Sequence, residues 1–239
     1  MELRRFYIKP EDRVGEEITI RGEEFRHMTG VLRFRVGYQA IVCDGSGRDL
    51  YCHVVDIDKH RALLCVDRED VNEIELSYPL WLCMGNIKPD RLEMAVQKAV
   101  EIGVSDIVVF ESTYTSEKGL RLDRIERIVL EACKQCGRAT LPTVHPLCAF
   151  ADMLDQLTLP AMIAYEKEDT VSMQKALQEH FSKECGLAVI IGSEGGFTKD
   201  EVALAEEKGC TSYSLGKRIL RAETAAIVSL GNVVFYTEE

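Results

Sequence analysis

Between Arg4 and Val71 the apolar positions arrive in short bursts, RRFYI, EITI, YQAIVCD, DLYCHVVDID and RALLCVD, separated by turn-forming runs at DGSGRD and DKHR. Bursts of this length and spacing predict the strands of a small β-barrel or sandwich. One segment has a different period. In GEEFRHMTGVLR, Phe25, Met28, Val31 and Leu32 fall at helical spacing, which predicts a short helix packed on the barrel.

The pattern changes after the polar stretch EDVNEIELS. From PLWLCMG onward, short apolar runs (DIVVFE, AMIAYE, LAVIIG, TSYSL) alternate with longer segments of helical period: PDRLEMAVQKAVEIG, RLDRIERIVLEACKQCGR, SMQKALQEHFS, TKDEVALAEEKG and ETAAIVSLGNVVFYTE. Such alternation predicts an α/β domain, a mainly parallel sheet with helices on both faces. The chain therefore reads as two domains, residues 1–72 and 73–239, a division that 239 residues accommodate.

Composition adds limits. Hydrophobic residues make up 46% and charged residues 29%, the balance of a chain that buries a core rather than staying disordered. No apolar run approaches the length of a membrane span, and MELRRFYIKPED lacks the apolar centre of a secretory signal, so a cytoplasmic protein without a membrane partner is expected. Most of the nine cysteines sit in apolar runs such as AIVCD and LLCVD, which suits free buried thiols better than disulfides. Cys133 and Cys136 form a C-x-x-C pair, but no second pair completes a zinc site, and on a helix that spacing simply puts both thiols on one face. No metal is expected.

The net charge of −11 argues against nucleic-acid binding by bulk attraction, yet the acid is unevenly placed. Residues 146–239 carry fifteen Asp/Glu against eight Lys/Arg, whereas residues 1–35 carry seven against eight and residues 86–145 nine against nine. A local basic surface in the first two regions is compatible with these counts.

Two segments carry candidate chemistry. In LAVIIGSEGGFTKDE an apolar strand runs into Gly192, Ser193, Glu194, Gly195 and Gly196 ahead of a helix starting near Thr198. Glycines at the carboxyl end of a strand let a ligand approach the main chain, and open α/β sheets bind ligands at that edge. The plainer reading is a strand-to-helix turn in which Thr198 and Glu201 form a capping box, and for those two residues the plainer reading is preferred. The loop lacks both the dinucleotide fingerprint and the Gly-Lys-Ser/Thr ending of a P-loop. In SLGKRILRAETAAIVSL a short strand leads through Gly216 to Lys217, Arg218 and Arg221, then to Glu223 and Thr224 at the head of an apolar helix. Glu223 suits a helix start, but arginines beside it oppose the positive end of the helix dipole, and a broken local rule marks a candidate functional site.

Together these segments resemble the carboxy-terminal motifs of the SPOUT RNA methyltransferases, and most closely the RsmE family, which methylates N3 of a uridine in 16S ribosomal RNA. The family's G-P-E-G-G-F is similar to Gly192-Ser193-Glu194-Gly195-Gly196-Phe197, with Ser193 in place of proline, and its L-G-x-R-I-L-R-x-E-T-A is intact from Leu215 to Ala225. The resemblance extends to RRFYI, HMTGVLRFRVGYQAIVCDGSG, KPDRLEMAVQKAVEIGVSDIVVF and EACKQCGRATLPTV. It implies an amino-terminal PUA-like barrel that binds RNA, a trefoil-knotted α/β methyltransferase domain, a homodimer whose interface helps form the active site, and S-adenosylmethionine as cofactor. Spacing and composition alone predict only an ordinary doubly wound sheet.

The resemblance assigns cofactor binding to Gly192, Ser193, Glu194, Gly195, Gly196, Leu215, Gly216, Ile219, Leu220 and Ala225, with Tyr165 and Glu166 near the ribose. Loss of the N3 proton calls for a base or a stabiliser of the uridine anion, and Glu194, Arg221 and Glu223 are the candidates. Arg4, Arg5, His27, Arg33, Lys88, Arg91, Lys98 and Arg138 are expected to contact phosphates of 16S ribosomal RNA or of the assembled small subunit. The alternatives are an RNA-binding assembly factor without catalysis, a SPOUT methyltransferase with another RNA target, and a small-molecule α/β enzyme.

Overall fold

The structure, a computed structural model, describes residues 3–237, so the expected end of the last helix at Glu238 lies outside the described residues. Contacts divide the chain into two units, Met1–Glu75 with Cys133–Leu141, and Leu76–Ala132 with Pro142–Glu239.

The first unit is built on a mixed six-stranded sheet: β1 (Arg4–Tyr7), β2 (Arg13–Val14), β3 (Glu17–Arg21), β4 (Gln39–Cys43), β5 (Arg48–Ile57) and β6 (Arg61–Val71). The strand order is β1-β4-β5-β6-β3-β2, with β1 parallel to β4 and the other pairs antiparallel. Alternation along the strands sends Phe6, Ile18, Ile20, Ala40, Val42, Leu50, Val54, Ala62 and Leu64 into one core. The helical segment predicted over GEEFRHMTGVLR is α1 (Gly22–Arg26) followed by a π-helical turn (His27–Val31), which drives Met28 into that core. Several ion pairs are sunk within the unit, two of them made by forked arginines. Arg5 forks onto Asp49, at 2.5 and 2.9 Å, and Arg138 forks onto Glu75, with its closest contact at 2.7 Å. Asp49 also accepts from Asn72 Nδ2 at 2.9 Å.

The second unit carries an all-parallel seven-stranded sheet. Its elements are β7 (Leu80–Gly85), α2 (Pro89–Ile102), β8 (Asp106–Glu111), α3 (Leu122–Cys136, whose last four residues belong to the first unit), β9 (Thr143–Val144), β10 (Cys148–Ala149), α4 (Phe150–Gln156), β11 (Ala161–Ala164), α5 (Met173–His180), β12 (Leu187–Ile191), α6 (Lys199–Glu207), β13 (Thr211–Tyr213) and α7 (Ala222–Thr237). The order is β10-β8-β7-β12-β11-β13, with β9 also on β8. A late strand, β12, thus lies between β7 and β11, a departure from the ordinary doubly wound order that spacing suggests.

One face, through Cys83, Val108, Phe110, Ala188 and Ile190, packs against Phe150, Met153 and Leu154 of α4 and Val202 and Ala205 of α6. On the other side α7 packs against β12 and β7 and also against α2. Pro89 opens α2 where its missing N–H is not needed, and Gly103 closes it in the left-handed conformation, φ 113°. The helix α4 was not foreseen, although Phe150, Met153 and Leu154 carry its period.

All nine cysteines are free; Cys43, Cys52, Cys83, Cys133 and Cys210 are buried, while Cys185 is exposed. Burial pushes the thiols of Cys43 and Cys210 up to about 11, which leaves them un-ionised and inert at neutral pH.

Candidate active site

Strand register fixes where the candidate segments meet. Met84 pairs with Ile191, Ile163 with Ile190, and Ala164 with Tyr213. Because every pair is parallel, Gly85, Gly192, Tyr165 and Ser214 leave the sheet together at one carboxyl rim.

At that rim Gly192–Gly196 folds back tightly. The Gly196 N–H donates to the Ser193 carbonyl at 3.0 Å, and Gly196 takes φ +69°. Each glycine answers a close neighbour. A Cβ on Gly195 would stand 2.5 Å from Cβ of Tyr114, one on Gly192 would stand 3.1 Å from the ring of Phe197, and one on Gly196 would stand 3.2 Å from the Glu166 carboxylate. Gly85 is equally constrained, since its Cβ would stand 2.4 Å from the Ser193 nitrogen. Sequence reasoning missed Gly85 and Tyr114; the signal for Gly85 was a glycine ending the apolar run PLWLCMG.

The loop is anchored behind. Thr198 and Glu201 form the expected capping box, and Glu201 also accepts from the Thr113 N–H at 2.7 Å. Burial pushes the Glu201 carboxyl up, but the N–H bonds of Thr113 and Thr198 outweigh it and hold the group below its ordinary value. Beyond β11, Glu168 caps its own turn through Thr170 and Val171 and accepts from Ser212 Oγ, which holds its carboxyl at about 2. That turn follows Tyr165 and Glu166, whose backbone is pinned by a bond from Tyr165 N–H to the Tyr213 carbonyl at 3.0 Å.

The second motif leaves β13 at the same rim. Gly216 takes φ +99° with nothing within 4 Å of where a Cβ would sit, and Leu215 and Leu220 are half-buried. Ile219 is 88% exposed, a large apolar side chain facing outward at the site, while Ala225 is buried in the first turns of α7. Arg221 is exposed at the head of α7.

Charge gathers where α2, the glycine loop and α7 meet. The Lys88 N–H donates to Glu194 Oε1 at 3.2 Å, Arg91 Nη1 lies 3.9 Å from the same oxygen, and Arg91 Nε lies 4.0 Å from Glu223 Oε1. Glu223 is almost wholly buried, and among the described residues its Oε2 finds no hydrogen-bond partner; neither does the hydroxyl of Ser193, 4% exposed.

The arginines expected at phosphates divide. Arg4, Arg33 and Lys88 are exposed, and Lys98 forms a surface pair with Glu101 at 2.8 Å. His27 is half-buried, edge-on to Phe6. Arg5 and Arg138, by contrast, are engaged in the buried pairs with Asp49 and Glu75, and Arg91, 30% exposed, lies within 4.0 Å of two carboxylates.

A parallel sheet with glycine-bearing turns gathered at one carboxyl rim defines an α/β protein that receives a ligand against bare main chain. Comparison with known proteins narrows the class. The RNA methyltransferase domain family matches residues 74–234, and the RNA methyltransferase PUA domain family matches residues 20–64. The chain belongs to the RNA methyltransferase family. It is 29% identical to the ribosomal RNA small subunit methyltransferase E of Bacillus subtilis, covering 99% of this chain and 98% of that one. The Rickettsia conorii protein of the same name is 28% identical, covering 98% and 96%. The crystal structure of a ribosomal RNA small subunit methyltransferase E from Neisseria gonorrhoeae bound to S-adenosyl methionine superposes with TM-score 0.88 at 29% identity, covering 98% of each chain.

Proposed function

We propose that this protein is an S-adenosylmethionine-dependent methyltransferase that acts on N3 of a uridine in 16S ribosomal RNA, in the cytoplasm and as a homodimer. Residues 1–72 serve as its RNA-binding barrel and residues 73–239 as its catalytic domain. The observation that carries the reading is the convergence of both glycine-bearing turns on one rim of the parallel sheet. The kinship with the methyltransferase E proteins supplies the substrate.

The residues fit the donor. Above Gly216 there is open space beside left-handed main chain, and the Glu166 carboxylate stands next to Gly196, placed to accept hydroxyl protons of a ribose. Gly192, Gly195, Gly196, Leu215, Gly216 and Leu220 offer backbone groups to an adenosine, with Tyr165 beside the ribose and Ile219 and Ala225 as apolar wall. The donor supplies an electrophilic methyl group on a sulfonium.

The chain's own task is to manage the uridine proton and charge. A uridine N3–H has to lose its proton as the nitrogen attacks. Glu223, buried with one oxygen unpartnered, is the carboxylate set to accept that proton, and Glu194 flanks it from the loop. Arg221, exposed at the head of α7, is placed to stabilise negative charge growing on the base. Arg4, Arg33 and Lys88 remain available for phosphates.

An exposed apolar face supports the homodimer. Val228 and Phe235 lie seven residues apart on α7, with Gly231 unobstructed between them, and Met94 is exposed on α2. The functional test is mass spectrometry of 16S ribosomal RNA, free or in small subunits, from cells lacking the protein, before and after incubation with protein and donor. One uridine gaining 14 mass units per methyl group is the expected result (about one CH₂ equivalent), and RNA unchanged in every uridine overturns the reading.

A further inference from the structure

Arg91 stands where an RNA-contacting arginine would be counterproductive. It is the third residue of α2, its side chain is 30% exposed, and it lies at ion-pair distance from carboxylates of two other segments, Glu194 of the glycine loop and Glu223 of α7. The backbone of the same helix start reinforces the arrangement, because Lys88 N–H donates to the oxygen of Glu194 that Arg91 approaches. Two carboxylates converging without a cation repel one another. Glu223, with its side chain 10% exposed and Oε2 unpartnered, is the group least able to recruit water instead.

We infer that Arg91 is a positioning residue of the methyl-transfer site: it keeps the Glu223 carboxylate aimed, and ties the glycine loop to the head of α7, instead of gripping an RNA phosphate. A phosphate ligand would draw Arg91 from both carboxylates and leave a buried charge uncompensated. The assignment rests on the methyltransferase reading given above. It is independent of which uridine is modified.

The test compares Arg91→Gln and Arg91→Lys with Arg4→Gln, an exposed arginine expected to meet phosphate. Three readouts are taken: calorimetry with S-adenosylmethionine, RNA affinity across a salt series, and kcat and KM for RNA. Arg91→Gln leaves the slope of log affinity against log salt unchanged and KM within twofold, while kcat falls about 10²-fold, the scale of one lost electrostatic group in a site. Arg91→Lys restores part of that loss. Combining Arg91→Gln with Glu223→Gln costs no more than Glu223→Gln alone, because both remove one unit. Arg4→Gln does the opposite, lowering the salt slope by about 0.7–0.9 and raising KM for RNA more than it lowers kcat.

The inference is overturned if Arg91→Gln lowers the salt slope as Arg4→Gln does and raises KM with kcat intact. It is equally overturned if the double variant loses the product of the two single losses. Should Arg91→Gln fail to fold, Arg91→Lys decides by the same slope and the same split between kcat and KM. If the wild-type protein shows neither donor heat nor methylation, the methyltransferase reading falls instead, which separates the two failures.

Discussion

Gly85→Ala is the sharpest probe of how the glycine loop is held. Gly85 ends β7 and has no left-handed backbone, so alanine meets no conformational penalty there and the effect isolates contact. The added Cβ would stand 2.4 Å from the Ser193 nitrogen, 2.9 Å from the Gly192 carbonyl carbon and 3.0 Å from the Ser193 Cα. All three are backbone atoms of the loop, so no side chain can swing aside. Ordinary contact begins at 3.4 Å, which requires the loop to retreat by about 1 Å at its closest point. Overpacking of this kind costs roughly 1–3 kcal/mol. For a chain of this length each kcal/mol lowers Tm by about 2–4 °C. Displacement of a binding loop by about 1 Å is the scale that costs about 10²-fold in rate. Calorimetry with S-adenosylmethionine, together with thermal unfolding, should therefore show at least about tenfold weaker binding, or 1.4 kcal/mol, alongside the lowered Tm. Binding within twofold of wild type at an unchanged Tm would refute the packing argument.

Other expectations follow from the same geometry. Gly216→Ala forces an L-residue to φ +99° and should cost about 1–3 kcal/mol in thermal unfolding while weakening donor binding, whereas equal stability would show that the turn relaxes freely. Ser193→Ala removes a buried hydroxyl that lacks a partner and should raise the Tm of the donor-free protein, by about 1 kcal/mol of stability; a fall in Tm contradicts the assignment. Burial pushes the Asp49 carboxyl up, but the bonds from Arg5 and Asn72 outweigh it and lower it below 3.8, so its contribution is present above that value and is lost as pH falls further. Acid unfolding of Asp49→Asn should accordingly show a flatter pH dependence below pH 3.8 than wild type, and parallel curves would exclude the pair as a source of stability. Phe235→Asp places a charge on the exposed face of α7 and should reduce the sedimenting mass from twice 26.9 kDa to 26.9 kDa, while an unchanged mass removes that face from the interface.

Local patterning in the chain was enough for the elements that matter to the site. The apolar run LAVIIG, buried at every position of β12, and the Thr198–Glu201 capping box gave the strand, the turn and the helix behind it. The predicted segment GEEFRHMTGVLR is helical, but its period does not distinguish α1 from the π-turn at His27–Val31 that follows. Strand order was not legible. The runs LWLCMG and LAVII are both almost continuously apolar because both strands are covered on two faces, so neither carries a mark that seats β12 between β7 and β11.

Charge was the other blind spot. Arg5, Arg91 and Arg138 read in the sequence as cations open to phosphate, since their carboxylate neighbours lie 44, 103 or 132, and 63 residues away. Distances of that kind are set by tertiary packing and leave no local trace.

The central claim is that the turns after β12 and β13 together form one pocket in which a methyl donor's adenosine lies against main chain. A crystal structure of this protein grown with S-adenosylmethionine tests it most directly. The account predicts the adenosine between Gly192–Gly196 and Leu215–Leu220, with ribose hydroxyls at Glu166. Donor density at any other edge of the sheet, or the same two turns closed over one another with the donor excluded, contradicts it.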